Sequence, residues 1–339
     1  MKIRLKYQLI IYYAVILAIV VSAFMVYMLQ ESQHEHYQLA IFMLIIALFL
    51  TLFYISRKLT RPLKAFNDFF YVMRQNKKDF SKISFPDNEY GDVGRKILDT
   101  YQQLEKVKLF KQEMTNNISH ELKTPLTGIK AYLETIMEDE TMDADQMRSF
   151  VEKAYRQTLR LTSLVNDVSM LNKLDEDSDY YKIEEVNVYN CLKEIEEELS
   201  YKMMANNTTF TPKISSELSL GSSRDIIYSL FKNLIDNTLE HAGPNTEIII
   251  RAGIQQISGD SSYRIFFTYS DNGVGIPQDS IDRLFDRFYR VNKGRSRKNG
   301  GSGLGLAIVK NAVLFHKGDV TVENNPGGGV TFKFDLLSL

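Results

Sequence analysis

The chain contains no tryptophan, a single cysteine and only 7 prolines in 339 residues. One cysteine, Cys191, rules out an intrachain disulfide. A lone thiol on a helix-like acidic stretch reads as a small packed side chain rather than a nucleophile. An excess of charge of either sign is also missing. With 41 Lys and Arg against 42 Asp and Glu, the net charge is −1, so no global field calls for nucleic acid, and no nucleic-acid partner is expected. No internal repeat or low-complexity tract is present, and 339 residues suffice for two or three compact units.

Charge is also absent from two stretches near the N-terminus. Leu9–Leu29 carries none over 21 residues, about 31 Å as a helix. Leu39–Ile55 is a second uncharged run, which Tyr37 and Ser56 extend. These predict two transmembrane helices, residues 9–29 and 39–56, joined by an extracytoplasmic loop at 30–38. A cleaved signal peptide fits less well, because no small-residue cleavage pattern follows the first run. Lys2, Arg4 and Lys6 precede the first run, Arg57, Lys58, Arg61 and Lys64 follow the second, and the loop has no Lys or Arg. That bias predicts a multi-pass protein of a bacterial-type plasma membrane with both termini cytoplasmic and residues 1–8 inside. The lipid bilayer would be a partner. A loop of nine residues is too short to fold, leaving sensing to the loop, the bilayer or an accessory membrane protein. His34 and His36 among Glu31 and Glu35 read as a polar cap between the spans rather than a metal site.

Helical spacing then takes over. Leu59, Leu63, Phe66, Phe70 and Met73 form one stripe, with Pro62 near the predicted start, where a missing N–H costs least. The polar stretch Gln75 to Asn88 breaks it, and a second stripe follows at Val93, Ile97, Leu98, Tyr101, Leu104 and Val107. From Leu104 to about Glu138 the chain reads as one helix with its seam at Met114, Ile118, Leu122, Ile129, Leu133 and Ile136. After an acidic turn, with Asp143 as the expected N-cap, Phe150, Ala154, Leu161, Val165, Val168 and Leu171 mark its antiparallel mate. A lone hairpin leaves an apolar stripe exposed, so a homodimeric four-helix bundle is the expected solution. From about Tyr181, strand-like runs (Glu247–Ile254, Tyr263–Tyr269, Val320–Glu323, Val330–Asp335) mix with helical ones (Val188–Met203, Ser223–Glu240, Leu304–Phe315). This is a mixed α/β domain.

Ile118 to Leu126 reads ISHELKTPL. His120 lies two residues from both Ile118 and Leu122, about 200° around a helix, so it points away from the seam. Glu121 can orient the imidazole and take its proton as the other nitrogen attacks phosphorus. Thr124, at i+4, places a hydroxyl on the same face. Pro125 denies the Glu121 carbonyl its N–H partner and should bend the helix.

Two glycine clusters mark a nucleotide site. DNGVGIP (Asp271 to Pro277) follows a predicted strand, with the Asp271 carboxylate at its end free to accept from an adenine amino group. GGSGLGLAI (Gly300 to Ile308) opens a helix, where backbone N–H groups can approach phosphate. It is neither a dinucleotide fingerprint nor a Walker loop. In FKNLIDNTLE (Phe231 to Glu240), Asn233 and Asn237 share one helix face and offer neutral oxygens to Mg²⁺ or phosphate.

As a set, these motifs resemble the HisKA and Bergerat-type ATPase family of two-component sensor histidine kinases. Residues 57–107 resemble a HAMP-like relay, residues 108–176 a dimerisation and phosphotransfer hairpin, and residues 181–339 its α/β sandwich ATP-binding domain. The resemblance implies His120 as phosphoacceptor, Glu121 as the autophosphorylation base and Thr124 as a determinant of phosphatase action. It also implies Asn233 and Asn237 in an asparagine box, Asn237 as the Mg²⁺ ligand, and Asp271 as the adenine reader. Gly273 and Gly275 then fall in a first glycine box, and Gly301, Gly303 and Gly305 in a second. Phe285 and Phe288 would pack an ATP lid carrying Arg290 and Arg297. Activity would be ATP- and Mg²⁺-dependent autophosphorylation, then phosphotransfer to an aspartate of a response regulator, with regulator dephosphorylation as a further activity. One departure stands out: Glu240 and His241 occupy positions where the family usually carries a basic residue and then an aromatic. An acid there repels triphosphate unless it points away. The alternative reading is a degenerate, non-catalytic membrane signalling adaptor.

Overall fold

The computed structural model describes residues 34–74, 89–175, 181–256, 263–291 and 301–339, with a few scattered positions outside these segments. It divides into two compact units, Met1–Gln112 and Glu113–Leu339.

In the first unit, helix α1 (His34–Arg74) is continuous for 41 residues and runs straight through Pro62. The proline therefore sits inside a helix already established upstream, not at its start. Two expectations fall here. Among the described residues, no helix is long and apolar enough to cross a membrane. The run 9–29 lies largely on residues outside those described. The run 39–55 lies within α1, which does not meet that requirement. His34, Glu35 and His36 open the same helix instead of forming a loop, and Arg57, Lys58, Arg61 and Lys64 continue it. The predicted pair of transmembrane helices, and with it the multi-pass membrane location, is thus corrected. After α1, Phe85 packs against Phe66 and the fully buried Phe69, whose ring meets Tyr101 edge-on. A Cβ on Gly94 would come within 2.4 Å of the Phe85 ring, so only glycine admits that ring.

Helix α2 (Glu89–Glu138) is one 50-residue element rather than the two expected pieces. Between Gly94 and Pro125 the sequence holds neither glycine nor proline, so nothing stops it.

In the second unit, the later part of α2 pairs with α3 (Ala144–Asp175) as a helical hairpin. Asp139 closes the turn by accepting from the Thr141 N–H at 3.0 Å and its hydroxyl at 2.7 Å. Asp143 caps α3, accepting from the Gln146 N–H at 2.7 Å, as its position predicted. Leu126, Leu133, Met137, Val151, Tyr155 and Leu159 remain exposed along the hairpin.

The rest of this unit is an α/β sandwich. Its elements are β1 (Glu184–Asn187), α4 (Val188–Ala205), β2 (Thr209–Lys213), β3 (Ser219–Ser222) and α5 (Arg224–His241). They continue with β4 (Glu247–Gln256), β5 (Tyr263–Asp271), a 3-10 turn (Gln278–Arg283), α6 (Gly305–Phe315), β6 (Val320–Asn324) and β7 (Val330–Leu337). Five strands form one sheet in the order β2-β4-β5-β7-β6, parallel only between β2 and β4, while β1 and β3 pair separately. Alternate residues of β4, β5 and β7 (Ile248, Ile250, Ile265, Phe267, Tyr269, Phe332, Phe334) point into one core with the apolar faces of α4, α5 and α6. Phe267 and Phe334 stack at 5.2 Å, and Phe231 of α5 meets Phe267 at 5.4 Å. Burying each such ring is worth about 1.5–3 kcal/mol, which fixes α5 firmly over β5. That packing sets the asparagine-bearing helix beside the strand that ends in Asp271.

Candidate nucleotide site and phosphoacceptor face

His120 is exposed on α2, while Ile118 and Leu122 are half-buried on the seam, as the spacing predicted. The Thr124 hydroxyl donates to the His120 carbonyl at 3.2 Å, so its proton is committed to its own helix and only its lone pairs face outward. Pro125 is buried and α2 continues through it. Glu121 is not isolated: its Oε2 lies 3.6 Å from Arg160 Nη2 on α3, with the two side chains 32% and 24% exposed respectively. Sequence reasoning missed Arg160, because nothing in the α3 stripe distinguishes a cation facing Glu121 from a solvated one.

Asp271 ends β5 and is buried. Its carboxylate is already well occupied. Oδ2 accepts from the Thr238 hydroxyl at 3.0 Å, and Oδ1 accepts from the backbone N–H groups of Gly273 at 3.0 Å and Val330 at 3.2 Å. A carboxylate has about four acceptor places, so one remains for a ligand's amino group. Thr238 also bonds the buried Tyr269 hydroxyl at 2.7 Å, locking α5 to β5 through polar groups. The turn between β6 and β7 supports the loop from behind: Asn325 Nδ2 donates to the Asp271 carbonyl at 2.9 Å. These supports were missed. Thr238 directly follows Asn237, and Pro326–Gly329 is a visible turn signal, but neither indicates what it touches.

The glycines have definite reasons. A Cβ on Gly273 would lie 2.3 Å from the Ala242 Cβ, and Gly275 has φ +77. Gly303 (φ +72) fits against Phe288, whose N–H donates to the Gly303 carbonyl at 2.8 Å. Phe288 itself has φ 63, a left-handed conformation costing about 1–2 kcal/mol in a bulky residue. At the start of α6, a Cβ on Gly305 would be 2.6 Å from Asn233 Oδ1. Asn233 is turned that way because its Nδ2 donates to the Ser229 carbonyl at 2.8 Å and hydroxyl at 3.2 Å. Asn237, one turn on and half-buried, makes no side-chain hydrogen bond among the described residues. Both amide oxygens are therefore unengaged among the described residues, that of Asn233 beside the N-terminus of α6. Phe285 anchors in the main core near Phe332, whereas Phe288 packs with the bundle-facing cluster described below. Arg290 is half-buried; Gly300 and Arg297 lie outside the described residues.

Comparison with known proteins decides what these features belong to. Residues 110–177 match the His Kinase A (phospho-acceptor) domain, and residues 222–338 match the histidine kinase-, DNA gyrase B- and HSP90-like ATPase family. The chain belongs to the two-component sensor histidine kinases. It is 32% identical over 241 residues to the sensor protein kinase WalK of Staphylococcus epidermidis, covering 71% of this chain and 38% of that protein. A Staphylococcus aureus WalK matches at the same identity, covering 57% of that protein. The chain thus spans well under two thirds of the curated relatives it matches. Among solved structures, the fold resembles the Acinetobacter baumannii histidine kinase AdeS (TM-score 0.51, 20% identity, 65% of this chain and 98% of that one). It also resembles histidine kinase ThkA in complex with response regulator protein TrrA (TM-score 0.51, 21% identity, 72% and 66%).

In this kinase the ATPase domain meets the hairpin through α6. Leu164 and Leu171 of α3 are buried with Leu304, Ala307 and Ile308, and Leu122, Val168 and Phe288 border them. Two polar contacts flank the patch. The Ser302 hydroxyl bonds Asp167 at 3.2 Å, and Arg287 pairs with Asp175 at 2.6 Å. Burial pushes the Asp167 carboxyl up to about 6, with the Ser302 hydrogen bond and Lys232 opposing the shift. Glu240 does not point away from the glycines: its Oε2 would be 3.4 Å from a Cβ on Gly301. Burial, then Asp236, raises its carboxyl above the ordinary range, while Lys202, Arg290 and Arg160 pull it down. Burial, then Arg290, lowers the neighbouring His241. The acid at 240 thus sits in a domain that matches the ATPase family, with the charges of Asp236, Lys202, Arg290 and Arg160 all acting on it.

Proposed function

We propose that this kinase binds ATP with Mg²⁺ and transfers the γ-phosphoryl group to its own His120. The ring nitrogen of His120 attacks the γ-phosphorus, and the bond to the bridging oxygen breaks with ADP leaving on the electron pair. Glu121 accepts the imidazole N–H proton. Asp271 reads the adenine amino group through its remaining acceptor place, and the glycines around Gly301, Gly303 and Gly305 cradle phosphate. Asn237, with Asn233 beside it, holds the Mg²⁺, which neutralises phosphate charge when bound. The phosphohistidine then passes its phosphoryl group to an aspartate on a response regulator, and Thr124 supports the separate phosphatase activity, in which water hydrolyses the regulator's aspartyl phosphate to inorganic phosphate. Residues 57–107 serve as a HAMP-like relay, 108–176 as the dimerisation and phosphotransfer hairpin, and 181–339 as the catalytic domain.

The observation that carries this reading is the exposed His120 next to a half-buried Glu121 in the same chain as a buried Asp271 with one open acceptor place. The exposed apolar stripe of the hairpin supports a homodimer. The fold shared with ThkA, solved in complex with a response regulator, supports the partner. The test is incubation of the chain, wild type and His120→Gln, with Mg²⁺ and γ-labelled ATP. Acid-labile, base-stable label on the wild type alone is expected. No label on a folded, dimeric wild type would favour a non-catalytic adaptor, the reading that Glu240 against Gly301 supports.

A further inference from the structure

Arg160 sits where three parts of this kinase come together. Across the hairpin, its guanidinium pairs with Glu121, next to the exposed His120, at 3.6 Å. Neither side chain is more than a third exposed, so this is not one of the solvated surface pairs that contribute almost nothing. Along α3, Arg160 is one turn before Leu164, the residue that begins the buried contact with Leu304 and Ile308 of α6. Its charge also reaches Glu240, whose carboxylate lies against Gly301 at the rim of the nucleotide loop. Arg160 therefore faces two acids, one beside the phosphoacceptor and one beside the phosphate cradle. Among the described residues, it is the one cation ion-paired with Glu121.

A carboxylate that must take a proton from an adjacent imidazole has to be held in one orientation, and a long Glu side chain on a helix surface is not held by its own backbone. A guanidinium offers a planar fork of donors that fixes a carboxylate better than an ammonium does. We infer that Arg160 is a positioning residue for phosphorylation of His120, holding the Glu121 carboxylate in place at the edge where the ATPase domain meets the hairpin. This rests on the kinase reading above.

The inference predicts non-additivity. The full chain is compared as wild type, Arg160→Gln, Arg160→Lys, Glu121→Gln and the Arg160→Gln/Glu121→Gln double variant, by initial rate of His120 labelling against ATP concentration. Melting temperature and ATP affinity are measured alongside. Arg160→Gln should lower the maximal labelling rate about tenfold or more with KM for ATP little changed, and Arg160→Lys should recover part of it. The double variant should be no slower than Glu121→Gln alone, because a residue acting through Glu121 has nothing left to act on. Losses that multiply in the double variant overturn the inference while leaving the kinase reading intact. So does a rate loss that merely tracks a lower melting temperature. A wild type that takes no label overturns the kinase reading and this inference with it. If Arg160→Gln does not fold, Arg160→Lys with and without Glu121→Gln gives the same comparison.

Discussion

Substituting Gly305 by Ala adds one methyl group at the start of α6 and separates binding from stability. The new Cβ would stand 2.6 Å from Asn233 Oδ1 and 3.4 Å from its Cγ. The far end of a side chain can give way, so the fold survives and Asn233 swings aside. In doing so it abandons its bonds to the Ser229 carbonyl and hydroxyl, at 2.8 and 3.2 Å. With Asn233 displaced, binding forfeits its contact to the charged ligand, about 2 kcal/mol, a roughly thirtyfold weaker Kd for ATP·Mg²⁺. The two abandoned bonds cost the fold about 2 kcal/mol and Ala returns up to about 1 kcal/mol of helix propensity, so the melting temperature should fall by only a few degrees. Gly273→Ala makes the contrast: its Cβ meets the Ala242 Cβ at 2.3 Å and the Ala242 backbone at 2.7 Å, neither of which can swing aside. That variant should lose stability as well as binding. Nucleotide titration by calorimetry, paired with thermal melts, reads both. Gly305→Ala binding ATP as tightly as wild type would refute the reasoning and remove Asn233 from the site.

Three further outcomes follow from the same geometry. His316 is fully buried, with its ring nitrogens against the Ala312 carbonyl and the Ser222 hydroxyl at 2.8 Å each, and burial lowers its pKa. The fold prefers the neutral ring, so its contribution is complete above the unfolded pKa of about 6.5 and is lost as pH falls through the lower folded value. Melting temperature should drop on acidification below pH 6.5, and His316→Asn should flatten that slope. Asp167 carries the opposite sign: its carboxyl, raised to about 6, favours the protonated form, so its contact is strongest in acid and weakens as pH rises through about 6. Asp167→Asn should stabilise the docked ATPase domain at pH 7, read as slower hydrogen exchange in α6. Leu159→Glu or Tyr155→Glu, each on the exposed stripe of α3, should convert the dimer to a monomer by light scattering.

Much of this was legible because the relevant patterns are local. A seam at 3.6-residue spacing placed His120 outward, and glycines between a strand and a helix announced a loop that needs close backbone approach. The strands from Glu247 onward are apolar enough to be seen, and the structure extends them by a few residues at most. β1, β2 and β3 were missed, being four or five residues long and largely polar, with Pro212 inside β2. Their register comes from partners far away in sequence. The same holds for the groups that define the site. Thr238 matters only because α5 packs over β5, and Asn325 and Val330 only because the sheet order brings β7 beside β5. Arg160 matters only because α3 folds back on α2, and Asp167 and Ser302 only because α3 lies against α6. The apolar runs near the N-terminus misled for a different reason: absence of charge resembles a span, yet a span needs sustained apolarity over its whole length, and no helix among the described residues reaches it.

The contact of α3 with the glycine turn before α6 has a thermodynamic consequence for traffic through the site. Leu304, between Gly303 and Gly305, is fully buried, and Ser302 beside it is bonded to Asp167. The backbone we propose to cradle phosphate on one side is thus the backbone that grips α3 on the other. Occupancy and grip share one set of atoms, so neither can change without a free-energy debt to the other, equal in both directions. A twist of α3 that loosens the turn must alter how tightly nucleotide binds, and bound nucleotide must bias the twist by the same factor.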